Sequence, residues 1–374
     1  MIWFLLSVFN ILCAYVAEKT IKKNKYISLL FLLFVIVANT IIIGLRDFGV
    51  GTDTLIYIDS YFLEGGRTTF KNIIFESYEE RDKGFLMLAY ISTMVSTNSQ
   101  ALLVVCELFI ISFIIFGMYN LKKVLNYNMT IFMLLFCLLY QRESCNLMRQ
   151  YCAMSLLFFG FSQLLSKRYF VYILTQILAY SFHTSSVIFL MIPVFYFFSN
   201  IQNQIKYYYA IAVFIGIVAI LLFFYYFLAI IGDLNILKEE YASRYDENSN
   251  LYSYSGLSIR LLPYFILLVL IYFVSRHNTI SNEIVYMLVV LVISNILLEQ
   301  LIYVATVLKR TAYYIGLVSL VYLSMVYSLK NMYSKIIAFL YLVSVLVFAF
   351  NDYNKSRQTI QGGTYIYTSK ILGL

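Results

Sequence analysis

Little in this chain suits water. Charged residues make up 12% of its 374, about half the share of roughly a quarter found in soluble domains, which excludes an ordinary soluble enzyme or binding module. There are two prolines, no Pro/Gly-rich linker and no internal repeat. Nothing marks a boundary, so residues 1–374 read as a single domain. The five cysteines (Cys13, Cys106, Cys137, Cys145 and Cys152) lie in or beside apolar runs without metal-ligand spacing and read as small apolar fillers. There is no zincin motif, no Cys/His cluster, no Gly-x-Ser-x-Gly elbow and no Gly-Lys-Ser/Thr after the glycines at 49 and 51, so no metal and no cofactor is called for. Met1–Ala17 lacks a basic leading region and a small-residue cleavage site, and is expected to be a retained helix rather than a signal peptide.

What is present is apolar. Hydrophobic residues make up 62% of the chain and the mean hydropathy is +0.81. Runs long enough for a ~30 Å hydrocarbon core recur from end to end, continuous rather than alternating, which excludes an outer-membrane barrel. The expected fold is an all-α polytopic membrane protein with about twelve transmembrane helices. The net charge of +8 falls largely in short loops, so the positive-inside rule accounts for it and nucleic acid is not called for. Lys19, Lys22, Lys23 and Lys25 place the first loop in the cytoplasm. A second helix over 26–45 returns to the outer face, where 46–83, with more acids than bases, forms an external loop. The apolar piece Gly84–Val95 offers about 12 residues, ~18 Å of helix. If it does not cross, the basic groups at Lys122/Lys123, Lys167/Arg168, Lys206, Arg276 and Lys330/Lys335 all fall inside, so it reads as re-entrant or interfacial. Further helices are expected at 129–141, 146–165, 169–182, 184–198, 207–231, 257–275, 283–308, 311–329 and 334–350. A second external loop spans 232–256, and the polar tail 351–374 is external.

Polar groups at membrane depth mark the candidate site. Arg142, Asn146 and Arg149 are spaced i, i+4, i+7 and share a face if their helix begins early enough. A guanidinium offers a planar fork suited to phosphate or pyrophosphate. Arg142 suits a lipid headgroup. Arg149 lies inside the apolar run, where a charge costs ~3 kcal/mol on insertion scales. His183, one of two histidines, is placed at the outer interface and is suited to take a proton from an attacking hydroxyl, or to bond between helices. Asn295, Glu299, Tyr303, Thr306 and Arg310 recur at helical steps as a polar stripe. Arg310, with Tyr313 and Tyr314 behind it, and Arg260 are candidate ligands, and Glu299 balances a base or binds substrate. Glu107 is a buried acid with no assignable partner. Asp47, Asp53 and Asp59 supply a base, bind sugar hydroxyls or are solvated; Asp59 reads as solvated.

Taken in order, these landmarks resemble the EpsG/Wzy-like polysaccharide polymerases. The resemblance rests on Arg46-x-x-x-Val50-Gly51-Thr52-Asp53-Thr54-x-x-Tyr57, Asp82-Lys83-Gly84-Phe85, Leu147-Met148-Arg149-Gln150 with Ala153, Ala179-x-x-x-His183-x-Ser185, and Arg310 with Tyr313. Relatives usually carry glutamate where this chain has Asp82. The resemblance implies a bacterial inner-membrane glycosyltransferase that polymerises O-antigen or exopolysaccharide repeat units on the outer face. Its donor and acceptor would be undecaprenyl-pyrophosphate-linked glycans, and a chain-length regulator is a further candidate partner. It implies His183, Asp53 or Asp82 as general base. Arg46, Arg149, Gln150, Arg260, Glu299, Arg310 and Tyr313 would hold pyrophosphate or sugar. A lipid-linked oligosaccharide flippase, and an O-antigen ligase or membrane acyltransferase, are the alternatives.

Overall fold

The computed structural model describes residues 2–75, 82–125, 127–199, 306–328, 332–357 and 366–374, with seven isolated positions between 287 and 298. Among them every regular element is a helix. In chain order they are α1 (Ile2–Thr20), α2 (Lys25–Gly44), α3 (Thr52–Arg67), α4 (Phe70–Phe75), α5 (Lys83–Val95), α6 (Gln100–Val124), α7 (Met129–Leu139), α8 (Met148–Leu165), α9 (Tyr169–Phe182), α10 (Met191–Ser199), α11 (Thr306–Val326) and α12 (Met332–Arg357). Three of these, α1, α2 and α6, are long and apolar enough to cross a membrane, and several shorter apolar helices accompany them. The expected helices at 207–231 and 257–275, most of 283–308, and the loop 232–256 lie outside the described residues.

Several expectations are corrected. The stretch 46–83 is not a plain loop: its described part folds into α3 and α4, because apolar residues such as Ile58, Tyr61 and Phe62 recur at helical spacing and are buried. The segment 184–198 divides into a 3-10 turn, Thr184–Leu190, and α10. Helix α12 runs on to Arg357, past the apolar stretch, so the tail starts later than its polarity suggests.

The chain divides into two compact units, Met1–Val187 with Leu323–Leu374, and Ile188–Tyr322. In the first unit, α8 is the central helix. Nearly every residue from Met148 to Leu165 is buried, and it packs against α6 and α9. Membrane helices gain no hydrophobic drive from one another, so close approach and polar contacts carry the packing. A methyl group on Gly117 would lie 2.6 Å from the Phe158 ring, so α6 and α8 touch at a glycine. Deep in the bundle Asn39 donates to Asn10 (2.9 Å) and the Gln141 amide donates to Asn39, tying α1, α2 and the end of α7. The outward faces of α1, α2, α9 and α12 carry large exposed apolar residues (Phe4, Tyr26, Phe170 and Phe350 among them), as hydrocarbon contact demands.

The first unit has two distinct ends. At one, Lys122 Nζ donates to Glu18 (2.7 Å) and Thr130 N donates to the other Glu18 oxygen (3.1 Å), gathering the ends of α1 and α6 and the start of α7. At the other, the Gln100 amide donates to the Gly44 carbonyl (2.7 Å) and the Arg46 carbonyl (3.0 Å). Helix α6 therefore begins where α2 finishes and ends where α1 finishes. The intervening α3, α4 and α5 leave from and return to the Arg46 end.

Candidate functional site

The Arg46 end gathers most of the singled-out residues of the first unit. Arg46 follows α2 and is 2% exposed. Its Nη1 donates to the Ile43 carbonyl (2.7 Å), Nε to the Val50 carbonyl (3.1 Å) and Nη2 to Thr54 Oγ1 (3.2 Å). Nη2 also lies 3.0 Å from Met148 Sδ, the residue before Arg149. One buried guanidinium thus pins the end of α2, the start of α3 and the start of α8. Glu107 on α6 is buried and lies within electrostatic reach of Arg46. The intervening turn needs Gly51. Its φ of +103° is costly for any residue with a Cβ, and a Cβ there would run into the Cys145 carbonyl. The Val-Gly-Thr-Asp-Thr motif is therefore a fastened corner whose glycine lies against the 3-10 turn Glu143–Cys145.

Arg149 stands in the first turn of α8, with its side chain 23% exposed. Its Nη1 donates to Asp82 Oδ2 (2.8 Å) and lies 3.4 Å from the Tyr61 hydroxyl. The guanidinium carbon sits 4.2 Å from the centre of the Tyr57 ring, a cation–π contact. Arg149 Nε is buried without a hydrogen-bond partner among the described residues. Asp53, one turn before Tyr57 on α3, also acts on the Arg149 charge. Asp53, Tyr57 and Tyr61 are four residues apart, so one face of α3 meets Arg149. Tyr61 escaped the reading of the sequence, although this i, i+4, i+8 pattern was its signal.

The Asp82-x-Gly84-Phe85 motif has a physical account of the same kind. Asp82 precedes α5 and pairs with Arg149, while its N–H donates to the Tyr61 hydroxyl (3.3 Å). Phe85, fully buried, meets the Tyr61 ring edge-on at 4.9 Å. Gly84 lets α5 press on the end of α9, since a Cβ would lie 2.6 Å from Ser181 Oγ and 2.8 Å from the Phe182 ring. That contact sets Asp82 and His183 at the same end of two packed helices. Burial pushes the Asp82 carboxyl above the usual carboxylate range, and the Arg149 charge and hydrogen bond pull it back.

His183 caps α9. The Ser185 N–H donates to its Nδ1 (3.3 Å), and Ser185 Oγ lies 2.7 Å from the same atom. With Nδ1 accepting, the proton of a neutral ring sits on Nε2. Gln150 is buried in α8. Arg142, Asn146 and Arg149 do not share a helix face, because a 3-10 turn occupies 143–145 and α8 begins only at Met148. Arg142 instead lies 3.3 Å from its neighbour Glu143. Asp59 is exposed, as expected of a solvated acid.

The tail returns to this end of the first unit. The Asp47 N–H donates to the Thr368 carbonyl (2.9 Å) and the Lys370 N–H donates to Asp47 Oδ1 (2.9 Å). The Tyr367 hydroxyl donates to the Ile42 carbonyl and Ser369 Oγ to the Leu45 carbonyl, so residues 366–374 close the exposed carbonyl end of α2. Nothing in the sequence signals this contact. In the second unit Arg310 and Tyr313 lie on α11, while Arg260 and Glu299 lie outside the described residues. No group of three or more His, Cys, Asp or Glu among the described residues is arranged to hold a metal ion.

A profile described as the EpsG family matches residues 29–369, which takes in all of these landmarks. No curated protein and no solved structure matches the chain.

Proposed function

We propose, from the premise that this chain belongs to the EpsG family, that it joins undecaprenyl-pyrophosphate-linked repeat units into O-antigen or exopolysaccharide at the outer face of the bacterial inner membrane. The observation that carries the reading is Arg149 held between Asp82 and the face of Tyr57, with Asp53 in electrostatic reach. This group lies at the end of the bundle opposite Lys19–Lys25 and Lys122/Lys123. Lysine-rich loops stay in the cytoplasm, which supports our reading of the Arg149 end as the outer one.

The reaction breaks the bond between the donor sugar's anomeric carbon and pyrophosphate, and forms one to an acceptor hydroxyl. The leaving group is already an anion, so it needs cations rather than a proton donor. In our reading Arg149 receives the developing charge and Asp82 takes the hydroxyl proton. Burial suits Asp82 to that task by raising its affinity for a proton. On protonation it stops neutralising Arg149, whose full charge then faces the departing pyrophosphate. A single displacement inverts the anomeric centre. Asp53 is the second carboxylate in reach, and Tyr57 offers an aromatic face to a sugar ring. His183, with Nδ1 occupied, is assigned the role of donor through Nε2–H rather than base. Arg46 and Gln150, both buried, are assigned to holding the site together. Arg260, Glu299, Arg310 and Tyr313 remain proposed ligands on their sequence context.

Deleting the gene in its host tests the assignment. A polymerase null leaves single repeats on the acceptor, and full-length glycan returns with the intact chain. A ligase null leaves no repeat attached and a flippase null starves both steps; either pattern overturns the proposal.

A further inference from the structure

The opposite end of the same bundle holds a cavity of about 900 Å³ between the end of α1, the end of α6 and the start of α7. Lys19, Lys22, Lys23 and Lys123 line it, brought together from two stretches a hundred residues apart. The acid in its wall, Glu18, is taken up by Lys122 at 2.7 Å and by the Thr130 N–H and hydroxyl. The four other lysines have no carboxylate partner among the described residues. Lys19 lies over the Tyr15 ring (5.4 Å) and Lys123 over the Tyr119 ring (4.3 Å), contacts that steady an ammonium without neutralising it.

Retention of a loop in the cytoplasm requires lysines but no cavity. Here a concave shape is lined by several lysines, and its acid is already satisfied. The cavity wall also meets an exposed apolar face at Tyr15. Leu5, Val8, Leu12 and Tyr15 recur at three- and four-residue steps along α1 and are all exposed, so an apolar stripe leads from Tyr15 at the cavity wall down the bundle.

We propose that this cavity binds the phosphate headgroup of an anionic phospholipid of the cytoplasmic leaflet, with the acyl chains lying along the exposed face of α1. A free phosphate would satisfy the lysines but leave the stripe unused; a zwitterionic lipid would cover the stripe but bring no net charge. Each lysine near a phosphate contributes about a fivefold gain in affinity.

The test is native mass spectrometry of the full purified chain, titrated separately with phosphatidylglycerol, phosphatidylcholine and inorganic phosphate. Phosphatidylglycerol is expected to be retained at least about 25-fold better than phosphatidylcholine, the product of two such lysines, and millimolar inorganic phosphate leaves it in place. The triple variant Lys19→Gln/Lys22→Gln/Lys23→Gln loses that preference. Because removing lysines also disturbs insertion, Val124→Trp is the second variant: it narrows the cavity with every charge kept, and it too loses retention. Equal retention of the two lipids, or full retention in Val124→Trp, overturns the proposal. Displacement by inorganic phosphate does so as well, assigning the cavity to a free anion.

Discussion

Replacing Arg149 separates chemistry from packing. At 2.8 Å, with side chains 23% and 20% exposed, the Arg149–Asp82 pair is neither a surface bridge nor fully buried. Two charges about 4 Å apart interact by about 4 kcal/mol at an effective dielectric near 20, and desolvation removes part of that. An exposed pair nets about 0.5 kcal/mol, and breaking a buried one costs about 3–5 kcal/mol. Arg149→Ala is therefore expected to cost about 2 kcal/mol of stability, including about 0.5–1 kcal/mol from the Tyr57 contact. If Arg149 also receives the leaving pyrophosphate, the rate falls by about 10²–10³, more than partial unfolding explains. The swap Asp82→Arg/Arg149→Asp restores the ion pair without restoring its orientation toward substrate. The assay is glycan ladder length in a host lacking its own copy, with protein level and detergent melting temperature measured alongside. Single repeats are expected from Arg149→Ala and from the swap, with the melting temperature recovering in the swap. Full-length glycan from the swap would show that Arg149 serves only to neutralise Asp82, and the reasoning would fail.

The remaining expectations concern the parts that hold and tune this site. Gly51→Ala forces a Cβ into the Cys145 carbonyl at a left-handed φ and should lower stability by about 1–3 kcal/mol, read as a melting shift with a shortened glycan. Deleting 366–374 uncovers the end of α2, so hydrogen exchange should rise at 45–54 and polymerisation should fall while α8 stays protected; unchanged exchange would leave the tail without a structural role. In a purified assay, rate should fall as pH drops through the Asp82 pKa, which burial sets above the ~3.9 of a free aspartate. A raised folded-state pKa stabilises the fold below the unfolded value, and that contribution disappears as pH rises through the folded one. Melting measured against pH should therefore lose a small dependence in Asp82→Asn. His183→Gln keeps a hydrogen-bond donor and should stay within about tenfold of the parent, whereas loss of a general base costs about 10²–10⁴; initial rates distinguish the two.

Much of the local architecture is legible in the order of residues. Spanning hydrocarbon requires an uninterrupted apolar run with all backbone groups bonded internally. So 169–182 is read to the residue, and α1 and α2 to within a few. The motif order likewise leads to the family, because Arg46 to Tyr57, Asp82 to Phe85, Met148 to Gln150 and Ala179 to Ser185 are short local patterns. Arg142 misleads for a definite reason. Spacing of i, i+4, i+7 presumes a continuous helix, and the 3-10 turn at 143–145 breaks it.

The roles of the charges are another matter, since the worth of a charge at membrane depth depends on its partner. Arg46 and Arg149 look alike in the sequence. One is enclosed by carbonyls, Thr54 and Met148, while the other stands half-buried against Asp82, 67 residues away, and the Tyr57 ring. The close approach of α5 to α9 at Gly84, the seating of Gly51 on Cys145 and the return of the tail to Asp47 are contacts between distant stretches. Sequence alone determines that this chain lives in a membrane and which short motifs it carries. Only the tertiary structure decides that Arg149, Asp82 and one face of α3 come together, because a linear pattern specifies helices and packing specifies which of their faces meet.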